Sequence, residues 1–152
     1  MKIATCRSIL STIVLFLCGA AAWGSQDLPW LSDYNQALAR AKAGNSKILM
    51  DFTGSDWCPV CHIMDEEVFS TREFKDYVSK KNLVLMQVDF PMTRQLPQKL
   101  QDQNNDLLSK YAVQGFPTFI LTDKDGDVLG QHAGYLEGGP AAFIAWLGGM
   151  KK

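Results

Sequence analysis

The chain predicts an α/β fold, a central mixed β-sheet with helices on both faces. Two short apolar runs, residues 47–52 and 83–89, are separated by sequence of helical pattern. A crossover of that kind makes their pairing parallel. Further on, residues 119–122 and 128–131 flank Asp123-Lys124-Asp125-Gly126, a hairpin signal that adds an antiparallel edge.

The elements follow in order. Residues 1–24 have the parts of a secretory leader. Lys2 and Arg7 give a basic start, residues 9–17 are almost wholly apolar, and Gly19-Ala20-Ala21-Ala22 supplies small residues before cleavage after Ala22 or Gly24. The apolar run is shorter than the roughly 20 residues that span a bilayer, so a cleaved leader is expected rather than an anchor. Residues 25–152 then form one domain, large enough to bury its own core. Ser32 is placed to cap a helix over 33–43, with Tyr34, Ala37, Leu38 and Ala41 on one face, and Gly44-Asn45 ends it. A strand over 47–52 leads through Thr53-Gly54-Ser55-Asp56 to a helix that opens at the cysteines and runs to Phe69. Ser70-Thr71-Arg72-Glu73 has the form of a capping box for the next helix. Residues 90–105, with Pro91, Pro97 and several amides, read as an irregular insertion before a helix ending near Tyr111. Pro140 starts a last helix that buries Phe143, Ile144, Trp146 and Leu147.

Of four cysteines, Cys6 and Cys18 fall in the leader, which leaves Cys58-Pro59-Val60-Cys61 directly after Trp57. Export places this pair in an oxidising compartment, where two cysteines are either paired structurally or working. A disulfide across so short a loop removes little entropy from the unfolded chain, which makes stapling a weak reason for it. A dithiol at this spacing closes a small ring at a helix start and carries two electrons, so disulfide exchange is the first expectation. Other chemistries use the same letters. Cys58-Pro59-Val60-Cys61-His62 spells the attachment motif of a c-type haem, with His62 as iron ligand and Met64, Met86 or Met92 opposite. A copper or zinc metallochaperone would draw on Cys58, Cys61 and His62, with His132 as a further nitrogen donor. A binding module that merely shares the fold would show no thiol exchange.

Asp51-Phe52, Trp57-Cys58-Pro59-Val60-Cys61, Val113-Gln114-Gly115-Phe116-Pro117-Thr118 and the Asp125-Gly126 hairpin with its following helix occur together, in order. With these pieces the chain resembles the thioredoxin superfamily over residues 30–149, and Thr53-Gly54-Ser55-Asp56-Trp57-Cys58 looks most like its exported bacterial branch. The resemblance implies a thioredoxin-like three-layer fold and a thiol–disulfide oxidoreductase. Cys58 would be the nucleophile, its thiolate favoured by the unpaired N–H groups of a helix N-terminus. Cys61, one turn further in, would resolve the mixed disulfide. Pro117 would be cis, with Phe116 offering its backbone to an extended substrate. Trp57 would pack over the rim, and Asp51 would be a buried carboxylate that takes the resolving thiol's proton. Two departures are visible. The loop from Asp51 to Cys58 is one residue longer than in thioredoxins, and the place of their partner lysine falls at Leu85.

No bound cofactor and no metal are required, because the electrons rest on sulfur. The expected partners are envelope proteins with disulfides or thiols, together with a membrane or envelope redox protein that restores the spent state. Removing Lys2 and Arg7 takes the formal net charge from −1 to −3, which gives no footprint for nucleic acid. A periplasmic or secreted monomer is expected.

Overall fold

The computed structural model describes residues 28–150. The leader expected over 1–24 lies outside the described residues. Ten elements follow one another: α1 (Tyr34–Gly44), β1 (Ile48–Thr53), α2 (Pro59–Met64) running into a π-helical turn (Asp65–Phe69), α3 (Arg72–Lys81), β2 (Val84–Asp89), α4 (Gln98–Lys110), β3 (Thr118–Thr122), β4 (Val128–Ala133) and α5 (Gly139–Gly149). The sheet order is β2-β1-β3-β4. β1 and β2 are parallel, and β3 is antiparallel to both β1 and β4. This is the mixed sheet that the crossover and hairpin signals predict.

Alternation along β1 divides the core. Ile48, Met50 and Phe52 face α1 and α4, where they meet Ala37, Ala41, Leu107 and Tyr111. Leu49 faces the opposite side, among Met64, Phe69, Phe74, Phe119, Phe143 and Leu147 from α2, its π turn, α3, β3 and α5. Three layers result. Asp51 has the parity of Leu49, so its carboxyl is carried to the α2 side and not to solvent.

Several boundaries differ from those read in the sequence. Asp33, not Ser32, caps α1 by accepting from Gln36 N–H, and Thr71, not Ser70, caps α3 by accepting from Phe74 N–H. In both cases the residue one place later has the extended backbone that a cap requires. Ser70 instead closes the π turn, its N–H donating to Asp65 C=O at 2.8 Å. That wider turn leaves consecutive Val68 and Phe69 both buried. The irregular stretch is shorter than expected. Residues 98–105 are helical in α4, so only 90–97 is loop. In α5, Phe143 and Leu147 are buried while Ile144 and Trp146 are partly covered. Leu31 adds a one-residue parallel bridge beside Met86, accepting from Gln87 N–H and donating to Leu85 C=O. The outer edge of β2 is thereby covered in part. Among the described residues no helix is long and apolar enough to cross a membrane.

Candidate active site

The dithiol sits where β1 hands over to α2. Trp57 and Cys58 both donate backbone N–H groups to Gly54 C=O, which turns the chain back toward the sheet. Gly54 is required there because any Cβ would overlap the Trp57 indole. Cys58 is the N-cap of α2 with an extended backbone (φ −93°, ψ 103°), and Pro59 occupies the first turn, where a missing N–H costs nothing. The Cys58 sulfur accepts from Cys61 N–H at 3.2 Å. Cys58 and Cys61 are joined as a disulfide with Cα atoms 5.3 Å apart. They are 4% and 6% exposed, so the pair lies at the bottom of a shallow site rather than on a prominence.

Trp57, next to Cys58, opens an aromatic cluster. The Phe116–Pro117 bond is cis, as the resemblance implied, and it ends beside the start of β3. The Trp57 ring meets Phe116 edge-on at 6.0 Å, and Phe90 stacks on the other side of Phe116 at 5.0 Å. Among the described residues Phe116 makes no backbone hydrogen bond, so its peptide groups are unpaired.

Behind the disulfide lies Asp51, 6% exposed, with Oδ1 buried and lacking any hydrogen-bond partner. Burial, reinforced by the charges of Asp65 and Asp89, pushes its pKa up to about 8. A cleft of about 120 Å3 brings Asp51 together with Cys61, Ser55, His62, Asp65 and Gln87. That space is roomy enough to admit water beside the carboxyl. The place where the resemblance puts a partner lysine is Leu85 here, an apolar residue. Leu85 pairs with Leu49 inside the core, whereas Gln87 pairs with Asp51 and lines the cleft. No cation therefore stands beside Asp51 on β2, which is consistent with its raised pKa.

The residues that sequence reasoning missed are those that hold the loop. Asp89, at the end of β2, accepts from Ser55 N–H at 2.9 Å and Ser55 O–H at 2.7 Å, and also from the Arg94 guanidinium. Asp56 returns the favour across the gap, accepting from Met92 N–H at 2.9 Å and Thr93 N–H at 2.7 Å. These bonds, led by the Thr93 side chain, pull the Asp56 pKa down to about 2. Trp57 Nε1–H donates to Phe90 C=O at 2.8 Å. Each loop thus caps the other. The signal available was a carboxylate at the tip of each loop, Asp56 and Asp89, within runs of hydroxyl and turn residues.

His62 is tied to the active-site loop. Its Nε2 lies 2.8 Å from Ser55 C=O, so the ring donates to the active-site loop. Met64 and Met86 are fully buried in opposite cores, and Met92 sits on the 90–97 loop. His132 packs its ring against Trp146, and among the described residues no three His, Cys, Asp or Glu side chains gather as a metal site.

A cysteine pair closed across the first turn of a helix, in a chain that also carries a cis-proline at the start of β3, defines a thiol–disulfide oxidoreductase of thioredoxin fold. The family model for a thioredoxin-like domain matches residues 34–151, and the chain belongs to that family. It is 34% identical over 119 residues to the disulfide bond reductase DsbH of Chlamydia pneumoniae, covering 78% of this chain and 70% of that one. Its likeness to thioredoxin-related protein DsbJ of the same organism is 30%, over 74% of this chain and 34% of the relative. A solved structure titled DsbH oxidoreductase superposes with a TM-score of 0.74 at 32% identity, over 80% of this chain and 83% of the other. The oxidised C-terminal domain of Neisseria meningitidis DsbD shares the fold, with a TM-score of 0.58 at 19% identity over 77% of this chain and 91% of that one.

Proposed function

We propose that this protein is an exported reductant of protein disulfides, working in the bacterial envelope as a single domain after removal of residues 1–24. The observation that carries the reading is the Cys58–Cys61 disulfide at the N-cap of α2, between the Trp57–Phe116 wall and buried Asp51. In the reduced protein Cys58 thiolate attacks one sulfur of a client disulfide. The client S–S bond breaks, a mixed disulfide forms, and the departing client thiolate takes a proton. Cys61 then gives its proton to Asp51 through the shared cleft and attacks Cys58 sulfur. The second client thiolate leaves, two electrons have moved to the client, and the chain is left with the disulfide seen here. Phe116 and cis-Pro117 hold the client backbone while Trp57 covers the rim. An envelope or membrane electron donor restores the dithiol, and no cofactor takes part.

Direction is argued from charge. Asp65 lines the cleft beside Cys61, Asp51 joins it as an anion as pH rises toward about 8, and the guanidinium of Arg94 is already paired with Asp89. A negative surround disfavours the thiolate of the reduced form relative to the neutral disulfide, which makes the dithiol the better electron donor. The name of the DsbH relative, a disulfide bond reductase, supports the same direction. Insulin disulfide reduction and client trapping test the assignment. Cys58→Ser should abolish reduction, whereas Cys61→Ser should accumulate mixed disulfides through Cys58. Recovery of no such adducts from Cys61→Ser would count against the resolving role.

A further inference from the structure

A cavity of about 470 Å3 lies between the 90–97 loop and α4, with Phe90, which stacks on Phe116, in its lining. We infer that this cavity is a second client subsite, taking an uncharged stretch of the polypeptide that flanks the client's cysteine. The inference rests on the reductase reading, which makes Phe116 the place where a client strand lies.

Three features support the site. Its volume falls in the range of about 300–1,000 Å3 typical of ligand pockets. It is held open rather than left to collapse. Asp56 fixes Met92 and Thr93, Gln101 Nε2–H donates to Leu96 C=O at 2.6 Å, and buried Asn104 donates to Asp89 C=O at 2.8 Å. It is also continuous with the aromatic wall, since Phe90 forms part of its lining and stacks on Phe116. A strand crossing Phe116 therefore runs on into it.

The lining sets the chemistry. Phe90 and Met92, the latter 74% exposed, offer apolar contact, while the side-chain amides of Gln95 and Asn105 make no hydrogen bond among the described residues. The two charged residues in the wall, Asp89 and Arg94, already bind each other. A charge of either sign entering the cavity would lose water without gaining a free counter-charge.

The test compares a cystine-linked peptide with 2-hydroxyethyl disulfide as substrates of the purified protein. The peptide carries three serine, threonine or glutamine residues on each side of its cysteine. Replacing these flanks by aspartate or by lysine should each lower kcat/KM about tenfold. A general effect of the protein's negative charge would instead move the two in opposite directions. Asn105→Trp, which fills the cavity from α4, should lower kcat/KM for the neutral peptide about tenfold relative to 2-hydroxyethyl disulfide, by steric exclusion. Gln95→Ala, on the loop, should shift the ratio the same way by a smaller factor. Equal rates with neutral, acidic and basic peptides, or an unchanged ratio in both variants, overturns the subsite and leaves the exchange reaction standing. Failure of the unaltered protein to reduce 2-hydroxyethyl disulfide would overturn the reductase reading and the subsite with it.

Discussion

Asp51 has a carboxyl whose folded state binds its proton more tightly than the unfolded chain does. Its pKa rises from 3.8 to about 8, first through burial and then through Asp65 and Asp89. For an acid shifted upward, stability is highest below the unfolded value and declines as pH climbs from about 4 to 8. Asp51→Asn should therefore stabilise the oxidised protein, by roughly 2–4 kcal/mol at pH 7 and by almost nothing at pH 3. Urea titrations at the two pH values check this, and equal gains at both would show that burial is not the cause. The same variant should slow release of client from the mixed disulfide. In the unaltered protein that step should accelerate with a midpoint near pH 8, and Asp51→Asn should flatten the profile. Stopped-flow measurement of client release against pH reads both effects.

At the scale of elements, the active-site loop and the 90–97 loop stabilise one another through Asp56, Asp89 and the Trp57–Phe90 bond. Asp89→Ala would leave Ser55 N–H without an acceptor and Arg94 without a partner, costing about 1–3 kcal/mol. The loss should appear in thermal denaturation together with faster amide exchange at residues 54–57. Exchange unchanged at those positions would mean that the loop is rigid on its own. This bracing was hard to read from sequence because it joins residues 34 apart, Ser55 and Asp89, by polar contacts that leave no periodic trace. By contrast Cys58, Pro59 and the hairpin at Asp125-Gly126 were legible, since each is a local rule of backbone geometry. Gly126 has φ +89°, and a side chain there would strike the Tyr34 hydroxyl. Helix caps fell between these cases. Ser32 and Asp33 are both good capping residues, as are Ser70 and Thr71, and only the tertiary path of the chain chooses between neighbours.

For the whole molecule, the alternation of apolar runs and helical patterns was enough for the layers and the parallel β1–β2 pair. Its failure was one of extent. The amides of residues 98–105 disguised the first turns of α4, whose buried positions Asn104 and Leu107 are only partly apolar. The strands pair Asp51 with Gln87 and Leu49 with Leu85, cross-strand partners that apolar patterning alone does not specify. The core beneath α2 converges on Phe143, which meets Phe69, Phe74, Phe119 and Trp146 at ring distances of 5.0 to 5.9 Å. Phe143→Ala should cost about 3–5 kcal/mol in chemical denaturation. A loss below 1 kcal/mol would mean that the cluster repacks.

The most direct measurement is a glutathione redox titration of the purified protein, read by alkylating the thiols at each poise and weighing the products. The account predicts one two-electron transition confined to Cys58 and Cys61, with a midpoint closer to the value of about −270 mV typical of thioredoxin than to the value of about −120 mV of a strong oxidant. A pair that never exchanges with the thiol buffer would contradict the dithiol chemistry itself, and a midpoint at the oxidising end would reverse its direction.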